Sequence, residues 1–278
     1  MTRTLILTPN KNLQCGMYQL AQDLAKEFDG DIKTLKYNNS IYKLYPFMDK
    51  FDVHLKIDKF NVEKQYDDVI TLFYPMHLFG RSLKEAGLKW ICYDQGIPPI
   101  TKTYFPNFWR RQYMKIFNKL DTWSMKGADE YWDVTEREQK SRWDEKSKLG
   151  VKIIHSVLGE SDEPYAIYLG RTTDYKNFDW LKSIMEEFGI ALVHPQNMND
   201  NEIWQLLSNA KMLVTASLWE GYGRGVSESE YLGVPAVAYD VGTHRRHIKK
   251  GICVPLDINN MKQSEEDFKE AILEVWNR

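Results

Sequence analysis

The stretch "SLWEGYGRGVSESEYLGVPAVAYD", residues 217–240, sets the reading of this chain. It continues "KMLVTAS", residues 211–217, an apolar run that reads as a buried strand. Gly221, Gly223 and Gly225 then let the backbone come close to a ligand. "GVSESEYLG" reads as a short helix closed by Gly233, and "PAVAYD" as the next strand. Two glutamates bracket the turn. Glu220 lies at the strand end, and Glu228 lies one to two turns into the helix, near its positive end. The free N–H groups of a helix start suit phosphate or sugar oxygens. Carboxylates accept pairs of hydrogen bonds from vicinal hydroxyls. One glutamate is therefore suited to a sugar and the other to a ribose; the alternative is a glycine-rich turn with solvated glutamates.

The same strand–loop–helix cycle runs through the whole chain. "RTLILTP" is an apolar run ending at Pro9, and "MYQLAQDLAKEF" places Leu20, Leu24 and Phe28 at helical spacing. "DVITLFYP" and "KWICYD" read as buried strands around the helix "LFGRSLKEAG"; "GADEYWDV" runs into a polar helix, and "VKIIHSV" is a further strand. The acidic, turn-rich "GESDEP" marks a boundary. "YAIYLG", "NFDWLKSIMEEFG", "IALVHP" and "DNEIWQLLSNA" then restart the cycle. The tail "SEEDFKEAILEVW" is an amphipathic helix with Ser264 as N-cap and Asp267 three residues on. The expected fold class is α/β: two doubly wound Rossmann-like domains facing an interdomain cleft. Expected domains are residues 1–158 and 159–262. The helix at 263–278 is a candidate to return to the first domain.

Bulk properties narrow the function. The 278 residues carry 37 Lys+Arg and 39 Asp+Glu, a net charge of -2, which disfavours a nucleic-acid binder. The excess is unevenly spread. Residues 156–278 hold 12 basic and 19 acidic side chains, which leaves 25 and 20 in residues 1–155. Cys15, Cys92 and Cys253 are far apart, with no CxxC, so neither a disulfide framework nor a metal knot is indicated. "MTRTLILTPN" is too quickly polar for a signal peptide, and no apolar run reaches roughly 18 residues. The expected compartment is the cytoplasm. "FWRRQYMKIFNKLDTW" sets Trp109, Tyr113, Ile116, Phe117 and Leu120 on one helical face, with Arg110, Arg111, Lys115 and Lys119 largely elsewhere. Residues 107–123 thus read either as a core-facing amphipathic helix or as a peripheral membrane contact at the inner face.

The segment "EGYGRGVSESEYLGVPAVAYDVG" resembles the glutamate–seven–glutamate signature of retaining GT-B glycosyltransferases, especially family 4 (glycosyl transferases group 1). Glu220, Gly221, Gly223, Glu228, Gly233, Pro235, Asp240 and Gly242 fall in place, with Tyr222 for the family's Phe and Thr243 for its last Gly. The resemblance implies that Glu220 contacts the donor sugar and Glu228 the ribose. It also implies that backbone amides of Gly221, Tyr222 and Gly223 meet sugar and phosphate. "YLGRTTDYKNFDWL" resembles the family's strand, Gly-Arg and lysine five residues on, so Arg171 and Lys176 would neutralise the donor diphosphate. "NLQCGMYQLAQDLA" keeps one glycine, Gly16, of the family's Gly-Gly loop, and "ADEYWDVTEREQKSRW" has Thr135 for its Ser.

Some positions depart from the family. Asp94, at the end of "KWICYDQG", stands where a histidine is usual, and an aspartate can accept from a sugar hydroxyl or act as a base. His77 is the other candidate near the donor, or else a loop histidine. The Pro-Asn-Gly turn before the linker is replaced by "IIHSVLGESDE", in which His155 is structural. The implied activity is transfer of a hexosyl group from a nucleotide-diphosphate sugar, UDP- or GDP-linked, to a hydroxyl acceptor. Retained configuration, no metal and no further cofactor are expected with it. The rival readings are a GT-B nucleotide-sugar epimerase and a catalytically inactive nucleotide-sugar-binding protein.

Overall fold

The computed structural model describes residues 3–8, 16–34, 66–72, 76–94, 96–133 and 163–278. Asn10, Asn12, Cys15, Gln95, Thr135, His155, the expected strand at 151–157 and the helix expected beyond residue 133 lie outside them. The chain divides into two compact units, Met1–Ile97 with Gln112–Ser141, and Pro98–Arg111 with Arg142–Arg278.

The first unit is a parallel five-stranded sheet with helices. Its elements are β1 (Thr4–Thr8), α1 (Gly16–Glu27), β2 (Asp31–Thr34), β3 (Asp68–Leu72), α2 (Met76–Glu85), β4 (Lys89–Asp94), α3 (Phe108–Met125), which starts in the second unit and continues into this one from Gln112, and β5 (Glu130–Asp133). The strand order is β2-β1-β3-β4-β5. The central strands are near-continuous apolar runs, because a parallel sheet is covered on both faces. All five residues of β1 are buried, as are Trp90, Ile91, Cys92 and Tyr93 of β4. The edge strands β2 (DIKT) and β5 (EYWD) are only partly covered and carry charge, which suits strands that must not pair further.

A polar network runs through this core. Trp90 donates its indole N–H to the Thr71 hydroxyl (2.9 Å), and that hydroxyl lies 2.9 Å from His77 Nδ1. The Thr71 hydroxyl also reaches Ile91 O at 3.5 Å, so it links the indole, the imidazole and the backbone of β4. His77 thus sits in the first turn of α2, 1% exposed, as a core residue rather than the loop histidine or donor contact of the sequence reading. Cys92 Sγ is 3.3 Å from Nδ1.

The expected apolar face of α3 splits. Phe117 is buried with Asp121 and Ser124, whereas Trp109, Tyr113 and Ile116 are exposed. The core-facing reading therefore holds for Phe117 and for Leu120, which packs against the same core, but not for the other three.

The second unit repeats the topology. Its elements are β6 (Ala166–Ile167), a 3₁₀ turn (Asp174–Lys176), α4 (Phe178–Glu187), β7 (Leu192–Val193), α5 (Asp200–Asn209), β8 (Met212–Thr215), α6 (Arg224–Tyr231), β9 (Ala236–Tyr239), α7 (His244–His247), β10 (Ile252–Val254), a second 3₁₀ turn (Ile258–Asn260) and α8 (Met261–Trp276). The order β10-β9-β8-β6-β7 matches the first sheet strand for strand. A full capping box opens α5: Asn199 accepts from the N–H groups of Asn201 and Glu202, and Glu202 accepts from Asn199 N–H.

Helix α8 packs on β8, β9 and β10, with Phe268 fully buried between Trp180 and Tyr239. It begins one turn before the expected N-cap. Ser264 lies inside the helix, 3% exposed, and its hydroxyl accepts from Asp257 N–H (2.9 Å). Asp257 accepts from Asn259 N–H and so caps the preceding 3₁₀ turn, which runs straight into α8. Among the described residues, no helix is long and apolar enough to cross a membrane.

Burial pushes His77 down from 6.5 to about 3. The Asp121 carboxylate, 3.8 Å from Nε2, is too far for a hydrogen bond. The unfolded chain takes up this proton near pH 6.5 and the folded chain does not, so stability falls as pH drops through that window. From this group alone the loss between pH 7 and 5 is up to about 2 kcal/mol. Urea unfolding at both pH values should show a smaller drop for His77→Gln than for wild type.

Candidate functional site

Strand order dictates where a site belongs. In the second sheet the chain starts at β6, steps outward to β7, then returns to β8 on the other side of β6. The loops that follow β6 and β8 therefore diverge at the carboxyl edge, and such a switch point leaves a crevice beside backbone N–H groups. The loop after β6 holds Arg171 and Lys176. The loop after β8 holds Glu220 through Gly223.

Lys176 donates to Glu220 Oε1 across that switch point. Both side chains are largely covered, at 11% and 18% exposed, and two charges so placed need each other. The lysine sits in the 3₁₀ turn Asp174–Lys176, which Asn177 closes in the left-handed conformation, φ 51°. Leu218 N–H donates to Tyr175 O (2.8 Å) and ties the two loops together. The Tyr175 ring stands edge-on to Trp219, with Lys176 Nζ 5.5 Å from its centroid. Arg171 is exposed and, among the described residues, its guanidinium reaches the Tyr175 hydroxyl, at 3.5 Å.

The turn after Glu220 is held from behind by the segment following β9. Gly223, φ 64°, precedes α6, and a Cβ there would lie 2.3 Å from the His244 ring. Gly242, φ 57°, lies against the Glu220 and Gly221 carbonyls, each 2.5 Å from a would-be Cβ. Thr243 donates its hydroxyl to Tyr222 O. The Tyr222 ring is buried and edges onto His247 at 5.0 Å, so toward a ligand this residue offers backbone. His244 is fully buried and donates Nδ1–H to Tyr239 O (2.8 Å). Its Nε2 and the hydroxyl of Thr173 are buried atoms with no hydrogen-bond partner among the described residues. Burial lowers the His244 pKa, against the pull of the Glu220 charge, so the ring is neutral and Nε2 is an acceptor.

Glu228 is the fifth residue of α6 and is buried. It accepts from Arg224, one turn earlier, at 3.2 Å.

Residues 170–276 match the family model of glycosyl transferases group 1.

The matched segment contains Arg171, Lys176, Glu220, Glu228 and the buttress at 240–247. No curated protein matches the sequence. Solved structures of similar fold include the lipopolysaccharide outer core galactosyltransferase WaaB (14% identity, 100% of this chain and 90% of that one, TM-score 0.57). They include sucrose-phosphate synthase of Thermosynechococcus elongatus (12%, 99% and 95%, 0.56). A third is a UDP-forming α,α-trehalose-phosphate synthase of Burkholderia xenovorans (10%, 98% and 91%, 0.56). At such identities the likeness is one of fold, and it is the GT-B fold with two Rossmann-like halves. The glycosyl transferases group 1 domain supports a glycosyltransferase.

Within this domain the structure brings Lys176 to Glu220 and pairs Glu228 with Arg224. Asp94 and Gly16 belong to the other unit, on the carboxyl edge of its sheet. Asp94 ends β4 and its Oδ1 accepts from Gly96 N–H (2.8 Å); Gly16 opens α1 after β1. Sequence reasoning missed Arg224, Tyr175 and His244, and it noted Thr243 only as standing for a glycine. The Arg224–Glu228 spacing of four was readable as a helical ion pair. The other three act through contacts across loops and leave no periodic signal. Among the described residues, no cluster of three or more His, Cys, Asp or Glu could hold a metal ion.

Gly223→Ala tests the turn. It imposes a side chain at positive φ and drives Cβ into the buried His244 ring. The expected destabilisation is at least ~1–2 kcal/mol by thermal or urea unfolding. Gly189→Ala, also at positive φ (64°) but with nothing within 4 Å, should lose only the backbone part.

Proposed function

We propose that this protein transfers a hexosyl group from a nucleotide-diphosphate sugar to a hydroxyl acceptor, with retention of anomeric configuration. The observation that carries the reading is the meeting of Lys176 and Glu220 at the switch point of the second sheet, inside the segment that matches glycosyl transferases group 1. A UDP-linked donor is the first choice, since one protein of similar fold is UDP-forming; a GDP-linked donor is the second.

In this reading Lys176 and the exposed Arg171 face the diphosphate. As the bond between the anomeric carbon and the phosphate oxygen breaks, its electron pair goes to the diphosphate. Two cations beside that oxygen offset the growing charge, which is the role a metal would otherwise fill. Glu220 accepts from donor-sugar hydroxyls while Lys176 holds its carboxylate in place. Glu228, fixed by Arg224, accepts from the ribose hydroxyls. Backbone N–H groups of Gly221, Tyr222 and Gly223 meet sugar and phosphate oxygens. The acceptor oxygen bonds to the anomeric carbon and gives up its proton, for which the departing diphosphate is the nearest base. Asp94 and Gly16 are proposed for the donor from the other unit, Asp94 as an acceptor of a sugar hydroxyl hydrogen and Gly16 as backbone near phosphate.

Thermal unfolding with UDP-, GDP- and ADP-glucose tests the donor site. A donor at a hundred times its dissociation constant should stabilise the fold by about 2.7 kcal/mol. Glu228→Gln should lose most of that shift, and Glu220→Gln should bind nucleotide but release it from the sugar far more slowly. A folded wild type that responds to none of the nucleotide sugars would overturn the reading.

A further inference from the structure

Helix α3 exposes what most helices hide. Trp109 is 77% exposed and Ile116 58%, and Tyr113 and Trp123 are exposed with them. These four recur at spacings of four, three and seven residues, so they form one stripe along the helix. The adjoining flank, Phe117, Asp121 and Ser124, is the one that packs inward, and Tyr113 stacks on Phe117 at its edge, 6.3 Å between ring centres. Lys115 and Lys119, four residues apart, are exposed beside the apolar stripe, and Lys126 follows the helix. Asp121 is the only acid in α3, and it is buried. Arg110 is paired with Asp174, and Arg111 donates to the carbonyls of Phe105 and Pro106, so the exposed lysines carry the charge of this face.

We propose that α3 is an interfacial helix that docks on an anionic lipid surface, with Trp109, Tyr113, Ile116 and Trp123 entering the headgroup boundary and Lys115 and Lys119 meeting lipid phosphates. The side-chain chemistry selects this occupant. Tryptophan and tyrosine have an apolar body and a polar edge, which suits the boundary between headgroup and acyl chain. The lysine stems lie along the apolar surface while their ammonium groups reach phosphate. A second copy of the chain fits less well, because two such faces bring lysine rows together with no exposed acid on the helix to pair them. The helix is about 27 Å long, enough for all four anchors to enter one plane. The proposal does not depend on the donor-site reading, and its test uses no nucleotide sugar.

The full chain is cosedimented with vesicles of phosphatidylcholine alone and of equal parts phosphatidylcholine and phosphatidylglycerol. Wild type should pellet with the anionic vesicles, more weakly as salt rises, and stay in solution with the neutral ones. Lys115→Gln with Lys119→Gln should weaken binding roughly thirtyfold, at about fivefold per lysine. Trp109→Glu with Ile116→Glu should abolish binding while leaving the melting temperature within a few degrees of wild type, since both positions are exposed. Wild type left in the supernatant with anionic vesicles would overturn the proposal. So would wild-type binding by both variants. Sedimentation showing a dimer that the Trp109→Glu, Ile116→Glu variant breaks would assign the face to a second copy instead.

Discussion

The second unit depends on one largely buried ion pair, Lys176 with Glu220. Two opposite charges withdrawn from water repay their desolvation only when their geometry is good, and apolar residues of similar size often pack at least as well. Removing one partner alone leaves the other unpaired and costs about 3 kcal/mol or more at a buried site. The loops following β6 and β8 are therefore held in register by an interaction that packing alone does not require. It places an ammonium and a carboxylate side by side at a sheet's carboxyl edge, the arrangement that the proposed donor calls for. Leu218 N–H on Tyr175 O fixes the backbone of the same two loops, so the pair does not have to hold them alone.

A buttress stands behind this pair. Gly242 touches the Glu220 and Gly221 carbonyls, Thr243 binds the Tyr222 carbonyl, and the His244 ring occupies the space that a side chain at Gly223 would need. The resemblance assigned a glycine to position 243. Threonine there supplies a hydroxyl donor, so the substitution adds a hydrogen bond to the turn. His244 is held in one tautomer by Tyr239 O, which leaves its acceptor nitrogen buried beside the turn and without a partner among the described residues. Buried acceptors are usually satisfied, and each exception calls for a reason. Here it lies on the protein side of a turn whose other side is proposed to meet the donor.

The sequence was most legible where burial is two-sided. Strands β1, β3, β4, β8 and β9 are apolar runs with the bounds such runs suggest, give or take two residues at the ends, or three for β3. Strand β2 was missed because an edge strand of charged and partly covered residues has neither an apolar run nor a clean alternation. Strand β10 has three residues and α7 has four, below the length at which a period can be read. Ser264 was misread for a related reason. A serine before an amphipathic stretch looks like a cap, but the preceding 3₁₀ turn is capped by Asp257 and carries the chain into the helix one turn early. The candidate site was reached through the resemblance carried by Arg171, Lys176, Glu220 and Glu228. Which of them touch was not legible, because Lys176 and Glu220 meet only through the strand order that puts β8 beside β6.

Periodicity defines a helix face but not the side on which the core lies. In α3 the stripe with tryptophan and isoleucine is exposed, while one with an aspartate and a serine is buried beside Phe117. Water alone would favour the reverse, since Ile, Leu and Phe are among the residue types most often buried and Asp and Ser are mostly exposed. The buried polar flank is accounted for locally: Ser124 donates to Asp121 O (2.7 Å), and Asp121 lies beside His77 in the polar network of the first core. On the exposed apolar flank Tyr113 stacks on Phe117, Trp123 lies beside Arg81 and Trp109 touches Phe108, yet all three rings and Ile116 stay exposed. The flank's aromatic and aliphatic anchors, bordered by lysines and free of exposed acids, match a surroundings that is apolar at depth and anionic at its edge. A lipid bilayer's anionic face is such a surroundings, and it is where a hydroxyl acceptor carried on a lipid would be presented.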